Sequence, residues 1–218
     1  MPTVFGVVQL AGLALFLSIF LGRTLYLRIR QKITAITLDV RKGWRGLVEV
    51  VLFALVNLWA IEVVLYAIQA DFHLFPALLH TPLLNGILTK VGGLTLVAVG
   101  LALFIRAMKD LGTSWRLGID EKRPGKLVTT GIYALSRHPI YLFFNLYFWG
   151  TFLLNGTLIF LLFALVIAVN LHLQILVEEH FLLDIYGAAY QEYCLRTERY
   201  LGWRTRQRPA IEPPADSW

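Results

Sequence analysis

The chain has 218 residues, is 57% hydrophobic and only 16% charged, and has a mean hydropathy of +0.65. Soluble domains run nearer ~45–50% apolar, so this composition excludes an ordinary soluble domain and points to an all-α, polytopic membrane protein. Its net charge of +6 and pI near 9.6 do not make it a nucleic-acid binder: the cations flank apolar spans, where anionic lipid headgroups stabilise each by about 1 kcal/mol.

Five apolar stretches approach the roughly 20 residues that a helix needs to cross about 30 Å of hydrocarbon. They fall near residues 4–21, 47–68, 83–105, 140–154 and 157–177. Before the first stand only Met1, Pro2 and Thr3, with no basic segment and no small-residue cleavage site, so it is expected to stay as a helix and not to act as a secretory signal. Glu49, Asn57, Glu62 and Lys90 lie within or near hydrocarbon, where an unpaired charge costs about 2.5–3.5 kcal/mol, so each needs a partner. Arg45 is one turn from Glu49 and is the candidate partner there.

The fourth stretch is short, and Asn155-Gly156 separates it from the fifth. Both residues tolerate positive φ, so the two stretches read as a hairpin. Of the twenty Lys and Arg residues, all but Lys90 fall between stretches one and two, between three and four, or in the C-terminal tail. Cytoplasmic loops collect such residues, so the expected topology has five spans, the N-terminus outside and the C-terminus in the cytoplasm. A four-span or six-span count breaks the rule. We expect residues 1–105 to act as a three-span scaffold, 106–203 as the region that holds the polar chemistry and 204–218 as a disordered tail, all within one domain. Cys194 is the only cysteine, which excludes an internal disulfide and a cysteine-based metal site, and no metal is expected elsewhere.

Polar chemistry gathers at the cytoplasmic mouth of the last two stretches. Gly131-Ile-Tyr133-Ala-Leu-Ser-Arg137-His138-Pro139-Ile-Tyr141 forms a basic turn before stretch four, with Pro139 suited to the first turn of a helix. Arg137 can grip a carboxylate in two places. Tyr133 and Tyr141 are spaced to line one pocket or to sit in an aromatic belt, and Gly131 permits close backbone approach.

Stretch five ends at Glu178-Glu179. These two differ by about 100° around a helix and so meet one point only if the helix ends there. Two acids at a helix C-terminus oppose the macrodipole, which implies a specific partner. Glu178 continues a polar stripe through Asn170 and Gln174, while His172 shares a side with Glu179. Beyond them Phe181, Ile185, Ala189 and Tyr193 recur every four residues beside Leu182, Tyr186 and Tyr190, as in a helix lying over the bundle like a lid.

The Arg-His-Pro-x-Tyr turn followed one hairpin later by Glu-Glu resembles the integral-membrane methyltransferases that include isoprenylcysteine carboxyl methyltransferases and phospholipid N-methyltransferases. The Leu-Gly-x-Ser-Trp-Arg-x-Gly segment around Trp115 and the Tyr186-Gly-x-x-Tyr190-x-x-Tyr193 segment followed by Arg199 resemble the same family, over about residues 106–203. The resemblance implies S-adenosylmethionine as cofactor and a lipophilic substrate entering from the bilayer. It implies that Arg137, Glu178 and Glu179 are catalytic. Gly131, Tyr133, Arg137, His138, Pro139, Tyr141, Glu178, Tyr190, Tyr193 and Arg199 are then the implied cofactor contacts. Phe143 stands where the family often has glycine, and its bulk is expected to narrow the substrate entrance. Membrane sterol and steroid reductases, which use NADPH, share the Pro-x-Tyr and Tyr-Gly-x-x-Tyr features, but a 2′-phosphate calls for cations where this chain has Glu178-Glu179. A non-enzymatic scaffold explains the hydropathy and leaves the motif without a purpose.

Overall fold

A computed structural model describes residues 3–30, 32, 44–114 and 125–202. Trp115, the side chain of Arg45 and the tail beyond residue 202 lie outside the described residues. Helices α1 (Val4–Arg30), α2 (Trp44–Ala67), α3 (Ile87–Leu111), α4 (Pro139–Asn155) and α5 (Leu158–Tyr186) form the bundle, and a short α6 (Ala188–Arg196) follows. The all-α reading holds. The helices α1, α3 and α5, and α2 from Glu49 on, are long and apolar enough to cross a membrane. At 17 residues, α4 is shorter than these four.

Burial shows why a chain this apolar folds as it does. Along α5, Phe160, Phe163, Ala164, Ile167, Leu171 and Ile175 face inward, while Leu165, Val166 and Val169 are exposed. A helix apolar on every side belongs in hydrocarbon, and this is a membrane protein. The interior is aromatic: Phe16 of α1, Phe104 of α3, and Phe143 and Tyr147 of α4 pack ring against ring. Phe143 therefore belongs to the core and is 1% exposed. That overturns its expected place at a substrate entrance, since its helix phase turns it toward α1 and α3. Trp59 joins α2 to α4 through Nε1, which donates to Thr151 Oγ1 at 3.1 Å.

Small residues set how closely α3 and α4 approach. A Cβ on Gly93 would lie 2.6 Å from the Gly150 carbonyl oxygen, and one on Gly150 would lie 2.8 Å from the Gly93 oxygen. Backbone meets backbone here, with no space for a methyl group.

The hairpin expected at Asn155-Gly156 is present, with Gly156 closing α4. Its carbonyl accepts from Leu83 N at 2.7 Å and Leu84 N at 3.0 Å, and Leu158 N donates to Thr81 O. The α4–α5 turn and the α2–α3 connection thus meet at one end of the bundle, both free of lysine and arginine. The opposite end collects the end of α3, the segment from Gly125 to the start of α4 and the last turns of α5. Short as it is, α4 runs between these same two ends.

The expected partners of the intramembrane polar groups resolve separately. Asn57 Nδ2 donates to the Phe53 carbonyl one turn back. Lys90 lies over the Phe5 ring. Glu49 is buried, and Glu62 meets two histidines from the α2–α3 connection.

Candidate active site

His138 is the N-cap of α4 and Pro139 its first residue, so the Arg-His-Pro segment enters the helix as its sequence predicts. The approach to it is fixed by Asp110, at the end of α3. Its Oδ2 accepts from Ile132 N at 2.7 Å and from Arg106 Nε at 2.9 Å. Gly131 has φ +65°, and a Cβ there would fall 2.2 Å from that same Oδ2. The glycine is needed for close approach as expected, but the group that approaches is a carboxylate of the protein itself.

Helix α5 does not stop at the paired acids. It runs on to Tyr186, and its 29 residues reach about 43 Å, well beyond ~30 Å of hydrocarbon. Glu178 and Glu179 are consequently within a helix, and the argument from the dipole at its end falls away. The expectation that they meet one point only where the helix unwinds also fails. His138 resolves the geometry, because an imidazole carries nitrogens on different edges. Its Nε2 lies 3.3 Å from Glu179 Oε1 and its Nδ1 lies 3.6 Å from Glu178 Oε2.

Glu179 is the hub of this arrangement. Arg137 donates to Glu179 Oε1 from Nε at 3.2 Å and from NH2 at 2.6 Å. Arg199 approaches from beyond α6, with Nε 3.1 Å from both carboxylate oxygens and NH2 2.5 Å from Oε2. The remaining edge of Arg137 donates to the Thr197 carbonyl at 2.7 Å, and its backbone N–H donates to Glu198 O at 3.0 Å. The Arg137 and His138 side chains are 5% and 2% exposed, so the inner part of this network is shielded from water, whereas Glu178 and Arg199 are each about one-third exposed. Burial pulls the His138 pKa down, but the adjacent Glu178 and Glu179 carboxylates outweigh it and hold the pKa above its ordinary value. Burial likewise opposes the charge of Arg137, and the Glu179 carboxylate more than restores it.

The segment after α5 departs from a continuous amphipathic helix. Gly187, with φ +51°, ends α5, and the break shifts the register. Ile185 and Ala189 are exposed, while Tyr190, Tyr193 and Cys194 are buried. Tyr193 Oη donates to the Tyr133 carbonyl at 2.6 Å, which fastens α6 over the turn. Tyr141 packs edge-on against His138, with ring centroids 5.6 Å apart. The structure thus brings Arg137, His138, Tyr141, Glu178, Glu179 and Arg199 together, with Tyr133, Tyr190 and Tyr193 in the covering layer. The residues not foreseen are Asp110, Ser136, whose Oγ accepts from His138 N, and Thr197, which acts through a backbone carbonyl that carries no sequence signal.

Four buried polar atoms on this side accept or donate no hydrogen bond among the described residues: Asn170 Oδ1, Gln174 Oε1, Glu178 Oε2 and Tyr190 Oη. The first three follow one stripe of α5.

Comparison with known proteins agrees with this architecture. The family model for phospholipid methyltransferase matches residues 88–189, which takes in all but the first residue of α3, the turn, α4, α5 and the first two residues of α6. That stretch, just under half of the chain, is similar to the phospholipid methyltransferases. Methanethiol S-methyltransferase 1 of Bradyrhizobium diazoefficiens is 36% identical over 84 residues, 38% of this chain and 29% of that protein. Protein-S-isoprenylcysteine O-methyltransferase of Schizosaccharomyces pombe is 35% identical over 107 residues, 48% of this chain and 45% of the relative. Protein-S-isoprenylcysteine O-methyltransferase B of Arabidopsis thaliana is 34% identical over 107 residues and is covered to 54%. The chain spans between about a third and about half the length of these relatives.

Proposed function

We propose that this protein is an S-adenosylmethionine-dependent methyltransferase whose acceptor is a lipophilic molecule entering from the bilayer. The observation that carries the reading is the Glu179 hub, which joins the Arg-His-Pro turn to α5 inside the matched stretch and draws in Arg199 from beyond it. When bound, the cofactor supplies an electrophilic methyl group on a positive sulfur.

The residues of this chain fit such a group. Glu178 Oε2, 3.6 Å from His138 Nδ1, and Gln174 Oε1 are buried acceptors that make no hydrogen bond within 3.5 Å among the described residues, and both suit an ammonium or ribose hydroxyls. The faces of Tyr141 and Tyr190 suit a cationic sulfur, by about 0.5–2 kcal/mol. Arg137 holds Glu179 and Thr197 O, so its part is to position the glutamate and the turn, and gripping a ligand carboxylate would require Glu179 to yield. His138, held between two carboxylates, retains its proton to higher pH than a free imidazole and is a poor base. Methyl transfer at this site therefore suits a nucleophile that arrives anionic or already neutral, as a thiolate, a carboxylate or an uncharged amine. In-line alignment in a water-poor setting then supplies most of the acceleration. The distribution of Lys and Arg supports a topology with the site facing the cytoplasm and the N-terminus outside.

Calorimetric titration of detergent-purified protein tests the reading. S-adenosylmethionine is expected to bind, NADPH is not, and Glu178→Gln and Gln174→Leu are expected to weaken binding by about tenfold each, ~1.4 kcal/mol. Binding of NADPH alone would transfer the reading to the reductases, and binding of neither would end the enzymatic proposal.

A further inference from the structure

At the end of the bundle opposite the glutamate pair, Glu62 is a carboxylate of α2 with 0% exposure. Among the described residues no lysine or arginine lies within ion-pair distance of it. Two histidines from the α2–α3 connection do: His73 Nδ1 at 2.9 Å and His80 Nδ1 at 3.8 Å from Oε1. One ligand atom from each of Glu62, His73 and His80 falls within 4.8 Å of the others.

The surroundings orient these atoms. Glu62 Oε2 accepts from Leu74 N at 3.1 Å, which leaves Oε1 toward the histidines. His80 Nε2 lies 3.0 Å from the Phe75 carbonyl. A carbonyl only accepts, so Nε2 carries the proton and Nδ1 is directed at the cluster. Metal-binding histidines are commonly held in this way, by a backbone carbonyl on the nitrogen away from the metal. Ring contacts hold the spacing, His73 and His80 lying 4.4 Å apart between centroids with Tyr66 against both.

We propose that Glu62, His73 and His80 form a binding site for a divalent transition-metal ion of the zinc class, which ties the α2–α3 connection to the bundle. Two imidazoles and one carboxylate are a common zinc set, with bonds of about 2.0–2.2 Å. A dication neutralises a buried carboxylate that has no lysine or arginine beside it among the described residues. Binding replaces the proton between His73 Nδ1 and Glu62; that proton leaves to solvent or, in a neutral ring, moves to Nε2. It also displaces Tyr66 Oη, now 2.6 Å from His80 Nδ1. No metal was expected from the sequence, because Glu62 and His73 are 11 positions apart and no short motif marks the set.

The full chain, purified without a histidine tag and stripped with chelator, is titrated with Zn²⁺ by calorimetry and with Co²⁺ by visible absorption. One equivalent is expected to bind saturably, with tetrahedral Co²⁺ bands, and added Zn²⁺ is expected to raise the thermal midpoint. His73→Ala, in a loop position about one-quarter exposed, is expected to weaken uptake by more than the ~10–100-fold that loss of an outer partner costs. Glu62→Gln should abolish uptake, and His172→Ala, at the other end of the bundle, should leave it unchanged. Absence of saturable uptake by the stripped wild type, or uptake equal in wild type and His73→Ala, overturns the proposal.

Discussion

Replacing Glu179 by glutamine removes the one anion that Arg137, Arg199 and His138 share. Removing one partner of a buried ion pair costs about 3–5 kcal/mol. Two features place this change at the lower end: Arg137 keeps its bond to the Thr197 carbonyl, and Arg199 is one-third exposed, so water screens its charge. The expected loss is about 3 kcal/mol, which for a chain of 150–250 residues lowers the thermal midpoint by roughly 6–12 °C. Methyl transfer is expected to fall below detection, because the turn, α5 and the segment after α6 lose their common anchor. The assay pairs thermal unfolding in detergent with transfer of labelled methyl groups. In the double variant Glu179→Gln with Arg137→Leu, part of the stability should return, since the stranded guanidinium is gone, while activity stays lost. An unchanged midpoint together with full activity in Glu179→Gln would refute the assignment of this carboxylate as the hub.

His138 yields a pH prediction. Its folded pKa is raised, so the stability it contributes is fully present below the ordinary value near ~6.5 and is lost as pH rises through the folded value. The midpoint difference between wild type and His138→Gln should therefore shrink from pH 6 to pH 9, and a constant difference contradicts it. Gly150→Leu forces side-chain atoms into the α3 backbone and should destabilise by at least about 1–3 kcal/mol, read as a lower thermal midpoint; an unaltered midpoint refutes the contact. Gly131→Ala places a methyl group on Asp110 Oδ2 at an unfavourable φ, a strain of about 1–3 kcal/mol. It is expected to weaken S-adenosylmethionine binding, and Asp110→Ala in the same chain should restore part of that affinity by removing the clash.

The sequence alone determined that the chain is all-helical and membrane-bound, because that much apolar surface has no other solvent, and it located the hairpin through Asn155-Gly156. It also placed Pro139 at a helix start and brought Arg137, His138 and the glutamate pair into one candidate site, since those signals are local or come with a motif. Only the tertiary structure decided how the site is wired. One imidazole spans two acids 100° apart on α5, Arg199 closes on Glu179 from beyond α6, and Gly131 yields to Asp110, 21 residues before it. Phe143 turned inward for a similar reason, its partners being on α1 and α3. Helical periodicity reports which residues share a face, and it is silent about which distant face, backbone carbonyl or charge will be packed against it.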